Sequence, residues 1–291
     1  MRTALKIFAS ATLFLLLSTL GVGVYFYQTN PRIRAMVEND ESVLYYFPSK
    51  AMQPMDDLPH KTTCLTVDDS LKIYTYQFEP STPKKANIFF IHGAGGNVST
   101  AQYLIRPLIE NGFGVYVVDW RGYGKSNGKP SYRGVMKDTE AGFAHFIGSV
   151  KPEQLKTIVY GCSLGGQLAV KITKDHQQEV DALVLDGAVE SAQRLAMAYA
   201  PVSILKAQIE KSPEKFNQEY VAVRDIAMIK AIPKLIIHSK NDQQVPLSHG
   251  ENLFNAAYEP KNLWVTETAH IQTLKVLTPE AIDRIEALIK E

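Results

Sequence analysis

A serine flanked by glycines stands near the middle of the chain, in the stretch Gly161-Cys162-Ser163-Leu164-Gly165. The apolar run KTIVYG ends in this stretch, and a helical pattern follows it at once. A strand that turns into a helix over one residue strains that residue and crowds its neighbours, which must be small. The hydroxyl then projects from the sheet edge, so we predict that Ser163 is a nucleophile. A Gly-Ser turn without chemical function is the alternative.

A nucleophilic serine needs a base, and the base needs a carboxylate that orients it. His270 follows the last predicted strand, in TETAHIQT, and is the predicted base. Asp242 follows the run LIIHSKN and is the predicted acid, whereas Asp186 at the end of ALVLD is its rival. The remaining downstream histidines lie in or beside predicted helices or inside an apolar strand, where a packed core residue is expected: His176, His249 and His238.

Two backbone amides are candidates for an oxyanion hole. The amide of Leu164 opens the helix after the serine, where it has no helical partner and can bind a developing negative charge. The second donor is expected from the glycine-rich loop HGAGGN, and we choose Ala94 over Gly95. A phosphate-binding loop is the other use of such a sequence, but no Gly-Lys-Ser/Thr follows it.

These residues depend on a scaffold of strands that alternate with helices from residue 61 onward. KTTCLTVDD and LKIYTYQF predict an antiparallel hairpin. Six further β-rich runs follow the hairpin: ANIFFIHG, GVYVVDW, KTIVYG, VDALVLDG, PKLIIHS and NLWVTET. Most of them are continuously apolar, as expected for strands that are covered on both faces. The alternation predicts an α/β fold with a mostly parallel sheet and helices on both faces. Ligands then bind at the carboxyl ends of the strands, where the candidate residues stand.

The predicted catalytic domain covers residues 55–291, after a connecting stretch at 28–54. Within it, residues 188–232 form an insertion that is a possible lid, with an ordinary crossover helix as the alternative. Side chains of this insertion could line an acyl pocket: Met197, Tyr199, Ile204, Leu205 and Phe216.

The amino terminus has the pattern of a membrane anchor. Arg2 and Lys6 precede an uncharged run, residues 7–27, which as a helix would extend about 30 Å, the thickness of a bilayer's hydrocarbon core. We predict a signal anchor at residues 1–27, with a cleaved signal peptide as the alternative. Arg32 and Arg34 follow the run, so basic residues give no clear orientation. The short basic head favours a catalytic domain on the extracytoplasmic, or periplasmic, side.

Composition excludes several other classes of protein. The net charge is +1 and no long basic or acidic tract occurs, so a nucleic-acid partner is not expected. The two cysteines, Cys64 and Cys162, form no C-x-x-C pair, which argues against a zinc site or a disulfide framework. No metal or organic cofactor is expected.

Taken together, the motifs resemble the α/β-hydrolase superfamily, and within it the membrane-anchored serine hydrolases of the Bem46-like group. The matching pieces occur in the family's order over residues 86–271: HGAGGN, DWRGYGKS, GCSLGG, HSKNDQQVP and ETAH. The resemblance implies a triad of Ser163 as nucleophile, Asp242 as acid and His270 as base, and a bracing role for DWRGYGKS. One departure is Ala94, where close relatives often have Asn.

The function predicted from these features is hydrolysis of carboxylic esters through an acyl-enzyme. Short to medium acyl esters or lysolipid esters are the expected substrates. Thioesterase, peptidase and peroxidase activity on the same triad remain alternatives. A rival of another class is a scaffold that kept the fold and lost catalysis.

Overall fold

An eight-stranded sheet forms the centre of the computed structural model, which describes residues 18, 21–22, 24–38, 40–200 and 203–290. Its strands lie in the order β8-β7-β6-β5-β3-β4-β2-β1. In chain order they are β1 (His60–Val67), β2 (Leu71–Phe78), β3 (Ala86–Ile91), β4 (Phe113–Asp119), β5 (Thr157–Cys162), β6 (Ala182–Asp186), β7 (Lys234–Ser239) and β8 (Lys261–Thr266). β2 pairs antiparallel with both β1 and β4, and all other pairs are parallel. The predicted hairpin and mostly parallel sheet are confirmed.

Helices connect the strands and surround the sheet. The described residues form α1 (Pro31–Glu38), α2 (Glu41–Leu44), α3 (Gln102–Glu110), α4 (Tyr132–Val150), α5 (Gly165–Asp175), α6 (Ala192–Tyr199), α7 (Ser203–Glu210), α8 (Ala222–Asp225), α9 (Leu247–Ala256), α10 (Thr273–Val276) and α11 (Thr278–Ala287). The short single-turn helices Lys151–Glu153, Pro213–Lys215 and Ile226–Met228 complete the set.

Two neighbouring residues of β3 show that both faces of the sheet are covered. Successive side chains of a strand point to opposite faces. The Phe89 ring packs against Phe143 and Phe146 of α4, with centroids 5.3 and 5.4 Å apart. Phe90 belongs instead to the core cluster that contains Leu108 of α3 and Ile285 of α11. Helices therefore pack on both faces, which explains why β3 is buried throughout.

The chain divides into two compact units, Met1–Phe47 and Pro48–Glu291. The described part of the first unit contains α1 and α2. The predicted membrane anchor, residues 1–27, lies largely outside the described residues. Among the residues that the structure describes, no helix has the length and apolar character to span a bilayer.

The insertion between β6 and β7, predicted over residues 188–232, is mainly helical. It contains α6, α7 and α8, so it is longer than a single crossover helix. Of the predicted pocket side chains, Met197 and Phe216 are half-buried and Tyr199 is exposed. The Tyr199 hydroxyl donates a hydrogen bond to the Gln244 carbonyl at 2.6 Å, which ties the end of α6 to the loop after β7.

Candidate active site

The candidate triad residues follow three different strands of the parallel part of the sheet. Ser163 follows β5, Asp242 lies three residues beyond β7, and His270 lies four residues beyond β8. Because parallel strands end at one edge of a sheet, all three residues stand at the edge where ligands bind in folds of this class.

Ser163 occupies a strained turn between β5 and α5. Its φ is +52°, a left-handed value that is uncommon for a residue with a side chain. A Cβ atom on Gly161 would lie 2.4 Å from the Ala169 Cβ, and one on Gly165 would lie 2.2 Å from the His92 carbonyl oxygen. No real Cβ tolerates such distances, so the glycines are required for the turn, as the sequence predicts.

Backbone hydrogen bonds hold the turn against the end of β6. The Ser163 amide donates to the Asp186 carbonyl at 2.9 Å, and the Val189 amide donates to the Ser163 carbonyl at 3.1 Å. Ser163 itself is only partly buried. The strained turn is therefore fixed by its backbone, while the residue remains partly open to solvent.

A short hydrogen bond joins Asp242 and His270. His270 Nδ1 lies 2.5 Å from Asp242 Oδ2, and Oδ1 of the same carboxylate accepts the amides of Gln244 and Val245, each at 2.8 Å. Burial acts to raise the pKa of Asp242, but these hydrogen bonds outweigh it and the pKa is lowered. An ionised carboxylate accepts the Nδ1 proton of His270, which leaves Nε2 without a proton and able to act as a base.

Gly187 connects the histidine to the serine turn. A Cβ on Gly187 would lie 3.1 Å from His270 Nδ1, so the imidazole packs directly on this glycine. Gly187 follows Asp186, which is hydrogen-bonded to Ser163 through the backbone. The residue after the histidine, Ile271, has a φ of +48°, which is unusual for a β-branched side chain. Strain of this kind clusters at functional sites, and here it falls on Ser163 itself and on the residue after His270.

The structure separates Asp242 from its rival carboxylate. Asp186 is buried and accepts the Tyr160 hydroxyl at 3.2 Å, and burial raises its pKa to about 7. The hydrogen bond that His270 makes goes to Asp242. Asp186 therefore stands beside the turn as a buried carboxyl that is hydrogen-bonded to Tyr160, whereas Asp242 orients the imidazole.

The other downstream histidines have structural partners. His238 is fully buried in β7 and donates from Nε2 to the Val245 carbonyl at 2.9 Å, which confirms the predicted core histidine. His249 accepts the Glu190 amide at 3.3 Å, and burial lowers its pKa to about 4. His176 ends α5 and pairs with Glu140 at 2.8 Å.

Both predicted oxyanion donors lie next to the serine turn. The Leu164 amide stands at the start of α5, ahead of the first helical hydrogen bonds. Gly93, which precedes Ala94, packs on the serine, since its Cβ would lie 3.3 Å from the Ser163 Cβ. The Gly93 carbonyl accepts a hydrogen bond from His92 Nδ1 at 2.7 Å. In a trans peptide the N–H and C=O groups are opposed, so the Ala94 amide points away from the His92 ring.

The DWRGYGKS loop braces this region, as the resemblance implies. Arg121 donates from Nε and Nη2 to the buried Asp138 carboxylate at 2.9 and 2.7 Å, and Nη2 also contacts Asp68 at 3.0 Å. The Tyr123 hydroxyl donates to the Ala94 carbonyl at 2.5 Å. The periodicity of the sequence gives no sign of this last contact. The same is true of the hydrogen bonds from Asn97 of the glycine-rich loop to the carbonyls of Ser49 and Ala51.

The described residues include no group of three or more His, Cys, Asp or Glu side chains placed to hold a metal ion. Cys64 is exposed and Cys162 is buried, and both are free thiols. Of the acidic and imidazole groups around the serine turn, Asp242 and His270 are hydrogen-bonded to each other, and Asp186 accepts the Tyr160 hydroxyl.

Comparison with known proteins agrees with this geometry. The sequence pattern of the Hydrolase_4 family, described as serine aminopeptidase S33, matches residues 82–209, a range that includes Ser163 but neither Asp242 nor His270. The protein YfhR of Escherichia coli K12 is 30% identical over 226 residues, which cover 75% of this chain and 76% of YfhR. The protein bem46 of Schizosaccharomyces pombe is 26% identical over 181 residues, covering 61% of this chain and 58% of bem46.

A solved structure supports the same fold. The Pyrococcus furiosus esterase Pf2001 superposes with a TM-score of 0.64 at 22% identity, over 84% of this chain and 98% of the esterase. A likeness at this identity concerns the architecture alone. The chain belongs to the α/β-hydrolase superfamily, in its Bem46-like group, and is a hydrolase of the α/β fold.

Proposed function

We propose that this protein is a serine hydrolase that cleaves carboxylic esters through an acyl-enzyme intermediate. The observation that carries the proposal is the 2.5 Å contact between His270 Nδ1 and Asp242 Oδ2. This contact sets the tautomer that a general base requires. His270 packs on Gly187, the residue after Asp186, whose carbonyl accepts the Ser163 amide.

In the proposed reaction, His270 Nε2 accepts the hydroxyl proton as Ser163 Oγ attacks the ester carbonyl carbon. The amides of Leu164 and Ala94 donate to the oxyanion of the tetrahedral intermediate. The intermediate collapses, the alcohol leaves with the proton from His270, and the acyl group stays on Ser163. Water, deprotonated by His270, then attacks the acyl-enzyme, and the acid is released as His270 returns the proton to Ser163 Oγ. Asp242 stabilises the imidazolium in both steps.

The proposed substrates are short to medium acyl esters or lysolipid esters. In the insertion, Met197 is half-buried and Tyr199 is exposed. This exposure supports an acyl site that is open to solvent rather than enclosed. An open site accommodates one acyl chain more readily than a triglyceride with three.

The family description favours one second candidate, an aminopeptidase. An aminopeptidase must bind the ammonium group of its substrate with an anionic group. Two buried carboxyls follow the serine turn in the chain. Asp186 ends β6 and is hydrogen-bonded to Tyr160, and Glu190 lies beyond β6 and is hydrogen-bonded to Asn252. This arrangement supports esters over peptides with a free amino terminus.

The test is hydrolysis by the full-length protein of p-nitrophenyl esters of increasing chain length, a lysophospholipid, an acyl thioester and an aminoacyl p-nitroanilide. We expect turnover of the short and medium esters and labelling by a fluorophosphonate probe. Ser163→Ala is expected to abolish both. Ser149→Ala, which removes a hydroxyl that bonds the Phe146 carbonyl within α4, is the matched control and should retain both.

The outcomes separate the candidates. A folded wild-type protein that neither reacts with the probe nor turns over any ester would refute the proposal and favour a silent scaffold. Turnover of the nitroanilide alone would favour the aminopeptidase.

We also propose that residues 1–27 anchor the protein in a membrane, with the catalytic domain on the extracytoplasmic side. The uncharged run of residues 7–27 after Arg2 and Lys6 supports this. Resistance to carbonate extraction, together with digestion by a protease added outside the membrane, is the expected result. Extraction by carbonate would contradict the anchor.

A further inference from the structure

The loop that carries the second oxyanion amide needs support from outside itself. Residues 93–97 follow β3 and precede α3, so no regular helix or long strand fixes Ala94. Gly95 is exposed, and a Cβ placed on it would meet nothing within 4 Å. An oxyanion donor acts only if its direction is fixed before the reaction. The contacts that surround this glycine loop therefore decide how well it works.

The first support is the hydroxyl of Tyr123. It donates to the Ala94 carbonyl at 2.5 Å. The ring is fully buried and lies edge-on to Trp120, with centroids 5.4 Å apart, and 5.1 Å from the His92 ring. The packed ring cannot swing away, so its hydroxyl is a fixed donor to Ala94, the residue that carries the predicted second oxyanion amide.

The second support is a strap, residues Ser49–Gln53, which crosses the other end of the glycine loop. The Ser49 amide donates to the Gly96 carbonyl at 2.9 Å. The buried Asn97 side chain donates from Nδ2 to the carbonyls of Ser49 and Ala51, both at 2.9 Å. The Gln53 amide donates to Ser99 Oγ at 2.8 Å.

The strap also joins the glycine loop to the loop that carries Tyr123. The Ser49 carbonyl accepts the Gly124 amide at 2.9 Å, next to Tyr123 in the chain. The Lys50 ammonium donates to the Ser126 carbonyl of the same loop. Ser49 thus contacts Gly96, Asn97 and Gly124 at once. The glycine loop is held at Ala94 by Tyr123 and at Gly96 and Asn97 by the strap.

We propose that Tyr123 and the strap, clamped by Asn97, are positioning elements that fix the Ala94 amide for oxyanion binding. The inference rests on the proposed function, since it presupposes that this amide stabilises a tetrahedral intermediate. Neither element touches the substrate. Their effect is confined to the direction of one hydrogen-bond donor, so it appears in the transition state and not in substrate binding.

The decisive variant is Tyr123→Phe, which keeps the packed ring and removes only the hydroxyl. We expect kcat for a short p-nitrophenyl ester to fall about 10-fold with KM unchanged, less than the 10²–10³ that follows from losing a donor altogether. A trifluoromethyl ketone places its oxyanion in the same hole, so its inhibition constant should rise by the same factor. Tyr116→Phe is the matched control, because it removes a buried hydroxyl that bonds His145 Nδ1 at 2.7 Å on the face covered by α4.

Asn97→Asp tests the strap separately. It keeps the oxygen that accepts the Ser99 amide at 3.0 Å and replaces the donor to Ser49 and Ala51 with an acceptor. The same loss of kcat at constant KM is expected. If Tyr123→Phe does not fold, this variant tests the positioning role in its place.

Unchanged kcat and inhibitor affinity in the folded variants would overturn the positioning role, as would an equal loss in Tyr116→Phe. Ser163→Ala, measured in parallel, distinguishes a failure of the proposed function from a failure of the positioning role. If Ser163→Ala keeps the wild-type rate, the proposed function itself fails. If it is inactive while Tyr123→Phe matches the wild type, only the positioning role fails.

Discussion

Replacing Asp242 by Asn should reverse the tautomer of His270. The Asp242 Oδ1 atom accepts two backbone amides, those of Gln244 and Val245, at 2.8 Å. In Asp242→Asn the side-chain oxygen must stay on these two donors, because an NH₂ group there would face two N–H groups. The amide nitrogen is then directed at His270 Nδ1, to which it donates. The imidazole proton moves to Nε2, the atom that must accept the Ser163 hydroxyl proton if His270 is to act as the base.

The expected loss is large because the base is absent in the wrong tautomer. An Asp-to-Asn change with this consequence in the serine protease triad lowers kcat about 10⁴-fold. That factor corresponds to about 5 kcal/mol of transition-state stabilisation. Since the Asn side chain fills the same space and keeps the two backbone hydrogen bonds, we expect the fold and KM to change little.

The assay is hydrolysis of p-nitrophenyl butyrate at pH 8, with circular dichroism to establish that each variant is folded. Asp186→Asn is the matched control, since Asp186 is also a buried carboxyl beside the serine turn but bonds Tyr160. We expect it to keep kcat close to the wild-type value. If Asp242→Asn retained wild-type kcat, or if Asp186→Asn lost activity to the same extent, Asp242 would not be the acid.

The remaining predictions concern stability. Burial raises the pKa of Asp186 from 3.8 to about 7, so folding disfavours its ionised form and the cost appears as pH rises from about 4 to about 7. The Tm of Asp186→Asn should therefore fall less than that of the wild type between pH 5 and pH 8, and an identical fall would contradict this. Gly161→Ala places a Cβ 2.4 Å from the Ala169 Cβ and should cost about 1–3 kcal/mol in urea unfolding, along with activity. Gly148→Ala, in α4 with nothing within 4 Å, should instead stabilise the protein by about 1 kcal/mol, and a loss would show that the space is not open.

Much of the fold could be predicted from local sequence patterns. The apolar runs identify β3 and β5 because strands buried on both faces need apolar side chains at every position. The turn between β1 and β2 could be read from Asp68 and Asp69, which tolerate the positive φ values of +48° and +62° found there. The order of the strands in the sheet could not be read this way, because pairing depends on contacts between segments far apart in the chain.

The sequence by itself determined the serine turn, since the glycines around Ser163 act on their immediate neighbours and steric crowding is local. Only the tertiary structure decided which carboxylate meets His270, because Asp186 ends one apolar strand, Asp242 follows another, and the contact depends on where those strands lie in the sheet. It also decided that Ser49 and Tyr123 meet the glycine loop. A hydrogen bond between distant segments leaves no periodic trace, and its partners become neighbours only when the sheet has formed.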